Sequence, residues 1–481
     1  MVEFLLAMQT VAGSSPVSRS LINPNRCILS IGVIFFIFIY KGIANMDIKD
    51  LNFETSTDEK DLVTLKITIS KDAYDKELEK QIEYYKPRVN VKGFRVGHAP
   101  NNIILSRYRD ALEGATNEVL IEEAWNAYHD EKNVKALGTP KLLNLDKKDD
   151  GLHLDYEYYP IPEFDLPDLS SISIEKNKYS IDDSVVEEAY KLSLQRFSHF
   201  EESELKSEIG DRVNVKIEFD DEANKKYDKE LTVVASDDEN ESIFAKNAIG
   251  VKKDDKKLLK TYVDGREATL IMNIVKVEKP DMKDDSKEED RQKVKESLKE
   301  HLAKRAEDRA NTELINDTLF NKLIESVNIT LPKGYFEEQL EISLNEFERS
   351  MSSRGMSKTD FLISVAKTDE DIRKEYEENV RKQIVFDMIM AKLSETYKDS
   401  ITVNEEKAKE YANRMYQYQS YMGLSKLPKE EQQNIVNYIM RDAHTRATSE
   451  AIMDYVKEHV NVSEKDAGKF KAEESDIWGG Y

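Results

Sequence analysis

The sequence predicts a multidomain α+β chain. An N-terminal α+β domain spans 46–160, a smaller α+β domain 168–280, and a long-helix, all-α region 281–465. Three observations carry this reading. Alternating apolar and polar stretches of the kind that form half-buried strands fall before residue 280. Pro160, Pro162 and Pro167 cluster into an extended linker between the two α+β parts. After residue 280 only Pro332 and Pro428 occur, so the remaining chain is free to form long helices.

Composition narrows the function classes. At 481 residues the chain is long enough for several cores, and 34% charged residues with a mean hydropathy of -0.64 describe a heavily solvated protein. Its formal net charge of -23 disfavours general contact with nucleic acid, and no DNA partner is expected. The single cysteine, Cys27, excludes an internal disulfide and points to a reducing compartment. The seven histidines are scattered without ligand spacing, and no Gly-rich phosphate loop or P-loop lysine pattern occurs. No metal, nucleotide or other cofactor is therefore expected.

Residues 1–45 are a different kind of sequence. An apolar run at 27–40 follows Arg19 and Arg26, but its 14 residues fall short of the roughly 20 needed for a membrane span. No small-x-small cleavage site follows it. We expect the real start to be Met46, with 1–45 being upstream DNA read as protein, since Lys41-Gly42 can be encoded by a purine-rich ribosome-binding sequence. A signal-like extension or an anchor is the alternative.

In the N-terminal domain, 62–69 alternates with β-branched enrichment and reads as a strand. Ser70 caps a helix carrying Ala73, Leu78 and Ile82, which Pro87 stops. A second helix begins near Pro100 and continues through Tyr128, with Trp125 on its apolar face as a core residue. Residues 151–158 form another alternating strand. Between the helices lies Gly93-Phe94-Arg95-Val96-Gly97-His98-Ala99-Pro100, a loop whose glycines and proline leave Phe94 and Arg95 at an exposed tip. From Tyr84 to Arg109 the chain holds Lys86, Arg88, Lys92, Arg95, Arg107 and Arg109 and no acidic residue, a local exception suited to a polyanion.

This loop resembles the ribosome-docking signature of the trigger factor family, whose pattern usually reads Gly-Phe-Arg-Lys-Gly-Lys-x-Pro. Phe94 and Arg95 match it, while Val96 and His98 stand where that pattern has lysines. The resemblance runs from about Met46 to Lys465 and implies a ribosome-binding site. It comprises Gly93, Phe94, Arg95, Gly97 and Pro100, supported by Lys92, Arg88 and Arg107. Its expected partners are a tunnel-exit protein and ribosomal RNA.

The middle domain should begin with a strand at 173–176 and a helix capped by Asp182 or Ser184, followed by clean strands at 210–219 and 268–277. With Ile249-Gly250-Val251 between the strands, it resembles the FKBP-type prolyl isomerase domain of the same family. The family's Ile-Pro-Gly-Phe-Glu stretch has no counterpart between Phe219 and Gly250, so we read a reduced, inactive version. Phe219, Phe244 and Tyr262 are candidates for a remnant pocket, with core packing as their other role. No catalytic residue is assigned.

In the helical region, apolar faces recur at Phe336, Leu340, Leu344 and Phe347, at Val380, Ile384, Met388 and Ile389, and at Ala408, Tyr411, Ala412, Met415 and Met422. Their order resembles the family's arm-forming C-terminal domain. Met415, Tyr418 and Met422 are candidates for client binding, because thioether and phenol side chains adapt to varied partners. The tail at 466–481 should be disordered.

The resemblance implies an ATP-independent chaperone, cytoplasmic and partly ribosome-associated. It would hold nascent and unfolded polypeptides in a folding-competent state and assist export, with no stable membrane association and with homodimers off the ribosome. Two alternatives stay open: a working peptidyl-prolyl isomerase, and an exported or anchored chaperone of the porin type.

Overall fold

The computed structural model describes residues 50–281, 288–473 and 476–477. The 1–45 extension, its apolar run and Cys27 lie outside the described residues. Among those described, no helix is long and apolar enough to cross a membrane. The chain divides into two compact units.

The first unit holds the N-terminal domain. Its elements are β1 (Leu51–Thr57), β2 (Val63–Ser70), α1 (Lys71–Tyr85), α2 (Asn101–Lys132), β3 (Ala136–Lys148) and β4 (Gly151–Pro160). The strands form an antiparallel sheet in the order β1-β2-β4-β3. Val63, Leu65, Ile67 and Ile69 alternate along β2 and are all buried against the helices. Ser70 Oγ accepts the Ala73 N–H at 3.3 Å, which fixes the start of α1. Trp125 lies in the core with Tyr156 and Tyr158, its ring centroid 5.7 and 5.4 Å from theirs. Gly151 sits at φ +145 where β4 meets β2, and a Cβ there would fall 1.9 Å from the Ile69 carbonyl oxygen, so no other residue fits.

The helical region was expected to be continuous from 281 to 465, but 328–339 belongs to this first unit. The Gly334 N–H donates to the Lys60 carbonyl at 3.0 Å, and Lys60 pairs with Glu337 at 2.6 Å. Residues 328–332 form no helix, and the helix that starts at Lys333, just after Pro332, sets its first turns against the β1–β2 turn at Lys60.

In the second unit, the middle domain is an antiparallel sheet of five strands: β6 (Phe200–Ser203), β7 (Arg212–Phe219), β8 (Lys229–Val234), β9 (Lys256–Val263) and β10 (Arg266–Pro280). The order is β6-β10-β7-β8, with β9 also on β10. A short helix, α4 (Ile243–Asn247), covers it.

The segment expected to open this domain does not join it. β5 (Ser173–Ser180) pairs in parallel with β11 (Asn461–Lys469), and α3 (Asp183–Phe197) packs through Val185, Ala189 and Tyr190 on Leu298, Leu302 and Ala306. Asp182 caps α3, its Oδ1 accepting the Ser184 and Val185 N–H groups. The tail expected to be disordered is ordered at least through Glu473. Phe470 is fully buried in the same cluster, under the Arg309 guanidinium, and the Asp476 carboxylate binds Arg309. Burial of one large aromatic outweighs the polar character of its neighbours. Trp478 to Tyr481 lie outside the described residues.

The helices are α5 (Glu288–Glu313), α6 (Phe320–Glu325), α7 (Lys333–Ser353), α8 (Lys358–Val365), α9 (Asp369–Thr396), α10 (Glu405–Tyr421) and α11 (Lys429–His459). Between α5 and α6 the helix widens into a π-turn over Leu314–Leu319. Asn404 caps α10, its Oδ1 accepting from the Glu406 and Lys407 N–H groups.

Candidate functional site

The loop after α1 is held at both ends by buried side chains, Val91 and Ala99, while Lys92 to Val96 and His98 face solvent. Two tight turns shape it: the Phe94 N–H donates to the Val91 carbonyl at 3.0 Å, and the His98 N–H to the Arg95 carbonyl at 2.9 Å. Gly93 and Gly97 take φ of +97 and +81, the left-handed region these turns demand. The result is a rigid projection. Phe94 and Val96 keep 41% and 51% of their surface exposed at its tip, which is costly for apolar groups without a partner. Pro100 then closes the loop and starts α2.

The cations divide into two groups. Lys86 pairs with Glu83 at 3.1 Å and also donates to Asn101, and Arg109 pairs with Glu113 at 3.4 Å. Arg88 lies 3.8 Å over the Tyr84 ring and donates to the Tyr84 carbonyl, which holds its guanidinium in place without neutralising it. Lys92, Arg95 and Arg107 form no ion pair among the described residues. These three, with Arg88, leave net positive charge on the stretch from 88 to 107.

At the base of the loop is a feature without a sequence signal. Tyr85, Val89, Ile104, Tyr108, Ala111 and Leu112 line an apolar hollow of about 170 Å³. Tyr108 breaks the helical dihedrals of α2 at φ -123 and ψ 28, and its hydroxyl donates to the Asn90 carbonyl at 3.0 Å. One side chain thus bends the helix, pins the loop base and forms one wall of the hollow.

The candidates for a remnant isomerase pocket lie in two places, and two of them take the core-packing role. Phe219 and Phe244 are each 3% exposed and packed into the core of the sheet, Phe219 against Tyr227. Tyr262 is on the opposite face of β9, because Leu259, Thr261 and Val263 alternate with it as the buried residues. The three do not come together. Among the described residues no cluster of three or more His, Cys, Asp or Glu is placed to hold a metal ion.

The client-binding candidates are separated too. Met415 is half-buried in the α10–α11 seam with Tyr411, Ala412, Ile439 and Ala443. Tyr418 and Met422 are 62% and 64% exposed, Tyr416, Tyr421, Tyr438 and Met440 are exposed on the same helix pair, and Leu427 is exposed in the connection between the two helices. Tyr438 and Met440 escaped the sequence reading because α11 is only weakly amphipathic, so its exposed apolar residues do not stand out from its packed ones.

Comparison with known proteins gives two family matches. The bacterial trigger factor protein family matches residues 51–192, and its C-terminal counterpart matches residues 291–458. The trigger factor of Borrelia hermsii is 25% identical over 425 residues, covering 82% of this chain and 92% of its own. That of Clostridium botulinum is 24% identical over 394 residues, covering 75% and 89%. That of Fusobacterium nucleatum is 23% identical over 366 residues, covering 72% and 85%. A solved structure of the trigger factor chaperone aligns with 83% of this chain and all of its own, at 21% identity and a TM-score of 0.30. The two family matches together take in well over half of the sequence, one at each end, and the chain belongs to the trigger factor family.

Proposed function

We propose that the chain is an ATP-independent chaperone that docks beside the ribosomal tunnel exit through the loop at 91–100 and holds nascent polypeptides in a folding-competent state. The observation that carries this is the rigid loop. It presents an exposed phenylalanine in a basic stretch whose Lys92, Arg95 and Arg107 form no ion pair among the described residues, in a chain whose net charge is -23. Phe94 supplies an apolar anchor, and Arg95 a forked donor for phosphate or carboxylate. Lys92, Arg107 and Arg88 add attraction that salt screens. The acidic remainder keeps other surfaces off ribosomal RNA and favours solubility when a client is bound. We place the chain in the cytoplasm, part of it on ribosomes.

Unfolded chains would be held by weak apolar contacts. The exposed tyrosines and methionines of α10 and α11, including Tyr418, Met422, Tyr438 and Met440, suit this because large adaptable side chains tolerate varied partners. The middle domain is read as a spacer without isomerase activity, since Phe219 and Phe244 are closed within its core.

Cosedimentation with bacterial ribosomes over a range of salt tests docking. Four cations without an ion pair among the described residues, Arg88, Lys92, Arg95 and Arg107, would on RNA phosphates make log affinity fall with log salt at a slope of about -3 to -4. Arg107→Ala should weaken binding modestly and reduce the magnitude of the slope by about one. An unchanged slope would take Arg107 off the ribosome contact.

A further inference from the structure

The buried apolar residues of α8 divide between two cores. Phe361 and Leu362 pack with Phe347, Met351 and Ile372, while the next residue, Ile363, is 1% exposed and enters the core of the middle sheet. Among the described residues it is the one member of that core that comes from outside 200–280. Two polar contacts accompany it. Thr261 Oγ1, on β9 and fully buried, donates to the Ile363 carbonyl at 2.7 Å, and Lys229 on β8 pairs with Asp360. The helix ends at Ala366, held at φ +53 and ψ +47, a left-handed conformation that strains a residue with a Cβ.

We propose that this face of the middle sheet, around Leu259, Thr261 and Val263, is a binding site for the end of a short apolar helix, filled in this state by the chain's own α8. The recognition elements are few and general. Thr261 takes a backbone carbonyl, which any polypeptide offers, and the sheet takes one branched apolar side chain. Lys229 adds preference for an acidic residue three positions earlier. The seated segment is 102 positions from Thr261 in sequence, carries a strained end and contributes one side chain to this core, so it is a tethered ligand that a competing segment can replace. An unfolded client supplies such segments; that identity of the competitor rests on the chaperone reading, whereas the site itself does not.

The test uses the full chain and a fluorescein-labelled peptide of residues 357–366, followed by anisotropy. Ile363→Asp removes the tethered side chain from the site. The peptide should bind this variant at least tenfold more tightly than the unaltered chain, with Ile363→Ala intermediate. Thr261→Val in the Ile363→Asp background should weaken binding threefold or more. Equal binding to the unaltered chain and the variant, or none to either, would overturn the proposal. So would loss of amide-exchange protection across β7 and β10 in both Ile363 variants, which would make α8 an irreplaceable part of the sheet's core. Ribosome cosedimentation is a separate readout, and its failure would leave this result standing.

Discussion

Phe94→Ala combined with Arg95→Ala is expected to lower affinity for bacterial ribosomes by more than about 100-fold, corresponding to about 3 kcal/mol. The loop is anchored by Val91 and Ala99 and shaped by two turns, so little conformational entropy remains to be lost on docking. Its apolar tip is exposed in the free chain and would be desolvated in the complex, which concentrates binding energy on Phe94. Arg95 has no internal ion pair to give up among the described residues, so its charge is wholly available to a partner. Single variants separate the two roles. Phe94→Ala should weaken binding with the salt slope unchanged, whereas Arg95→Ala should weaken it and lower the slope by about one. Both side chains are exposed, so helical circular dichroism and thermal unfolding should match the unaltered chain. Cosedimentation of the double variant equal to that of the parent would remove the loop from docking.

The loop was legible in the sequence because its determinants are local. Glycines at turn positions, a proline at the helix start and a run of cations free of acids can all be read within ten or twenty residues. The same reading could not sort the cations, since Lys86 is neutralised by Glu83 and Arg109 by Glu113, pairs set by helix geometry rather than by composition. Strands with one buried face were legible at β2, β4 and β7, where apolar residues alternate. β1 and β3 were not, because they are sheet edges made largely of exposed residues.

The largest misreading, the placement of β5 and α3, has a physical cause of the same kind. β5 was recognised as a strand, but its partner β11 is exposed at every position and shows no periodicity. Ser180 and Gly468, which share a hydrogen bond in this pairing, stand 288 positions apart. Nothing local announces a parallel pair closed over that distance. Ile363 poses the same problem: an apolar helix residue gives no sign of which of two cores it will enter. The 91–100 loop therefore lies between the two helices the sequence puts around it, whereas the middle sheet could not be separated from the segments that lie beside it in the chain.

Asp387→Asn is expected to stabilise the helical region by about 4 kcal/mol at pH 7 and to flatten its pH dependence. Asp387 shares the packed face of α9 with Val380, Ile384 and Met388, and burial pushes its carboxyl from the ordinary value near 3.8 up to about 8. The only opposing influence is a hydrogen bond from Gln383 Nε2 to Oδ1 at 2.7 Å; no cation pairs with Asp387 among the described residues. The sign follows from linkage. An unfolded carboxyl loses its proton near pH 4, whereas the folded one keeps it to about pH 8. Stability associated with this group is therefore fully present below about pH 4, falls as pH rises, and levels off above about pH 8. Asparagine has nearly the same shape and stays neutral throughout. Its Oδ1 can still accept from Gln383, and its amide can donate to Gln383 Oε1, a buried atom that has no partner among the described residues. Urea unfolding followed by helical circular dichroism at pH 5 and pH 8 reads both effects. The unaltered chain should lose stability between the two pH values, and the variant should lose several kcal/mol less. Parallel pH profiles for the two proteins would show that Asp387 ionises in the folded state without penalty, and that water reaches it through the packed face of α9.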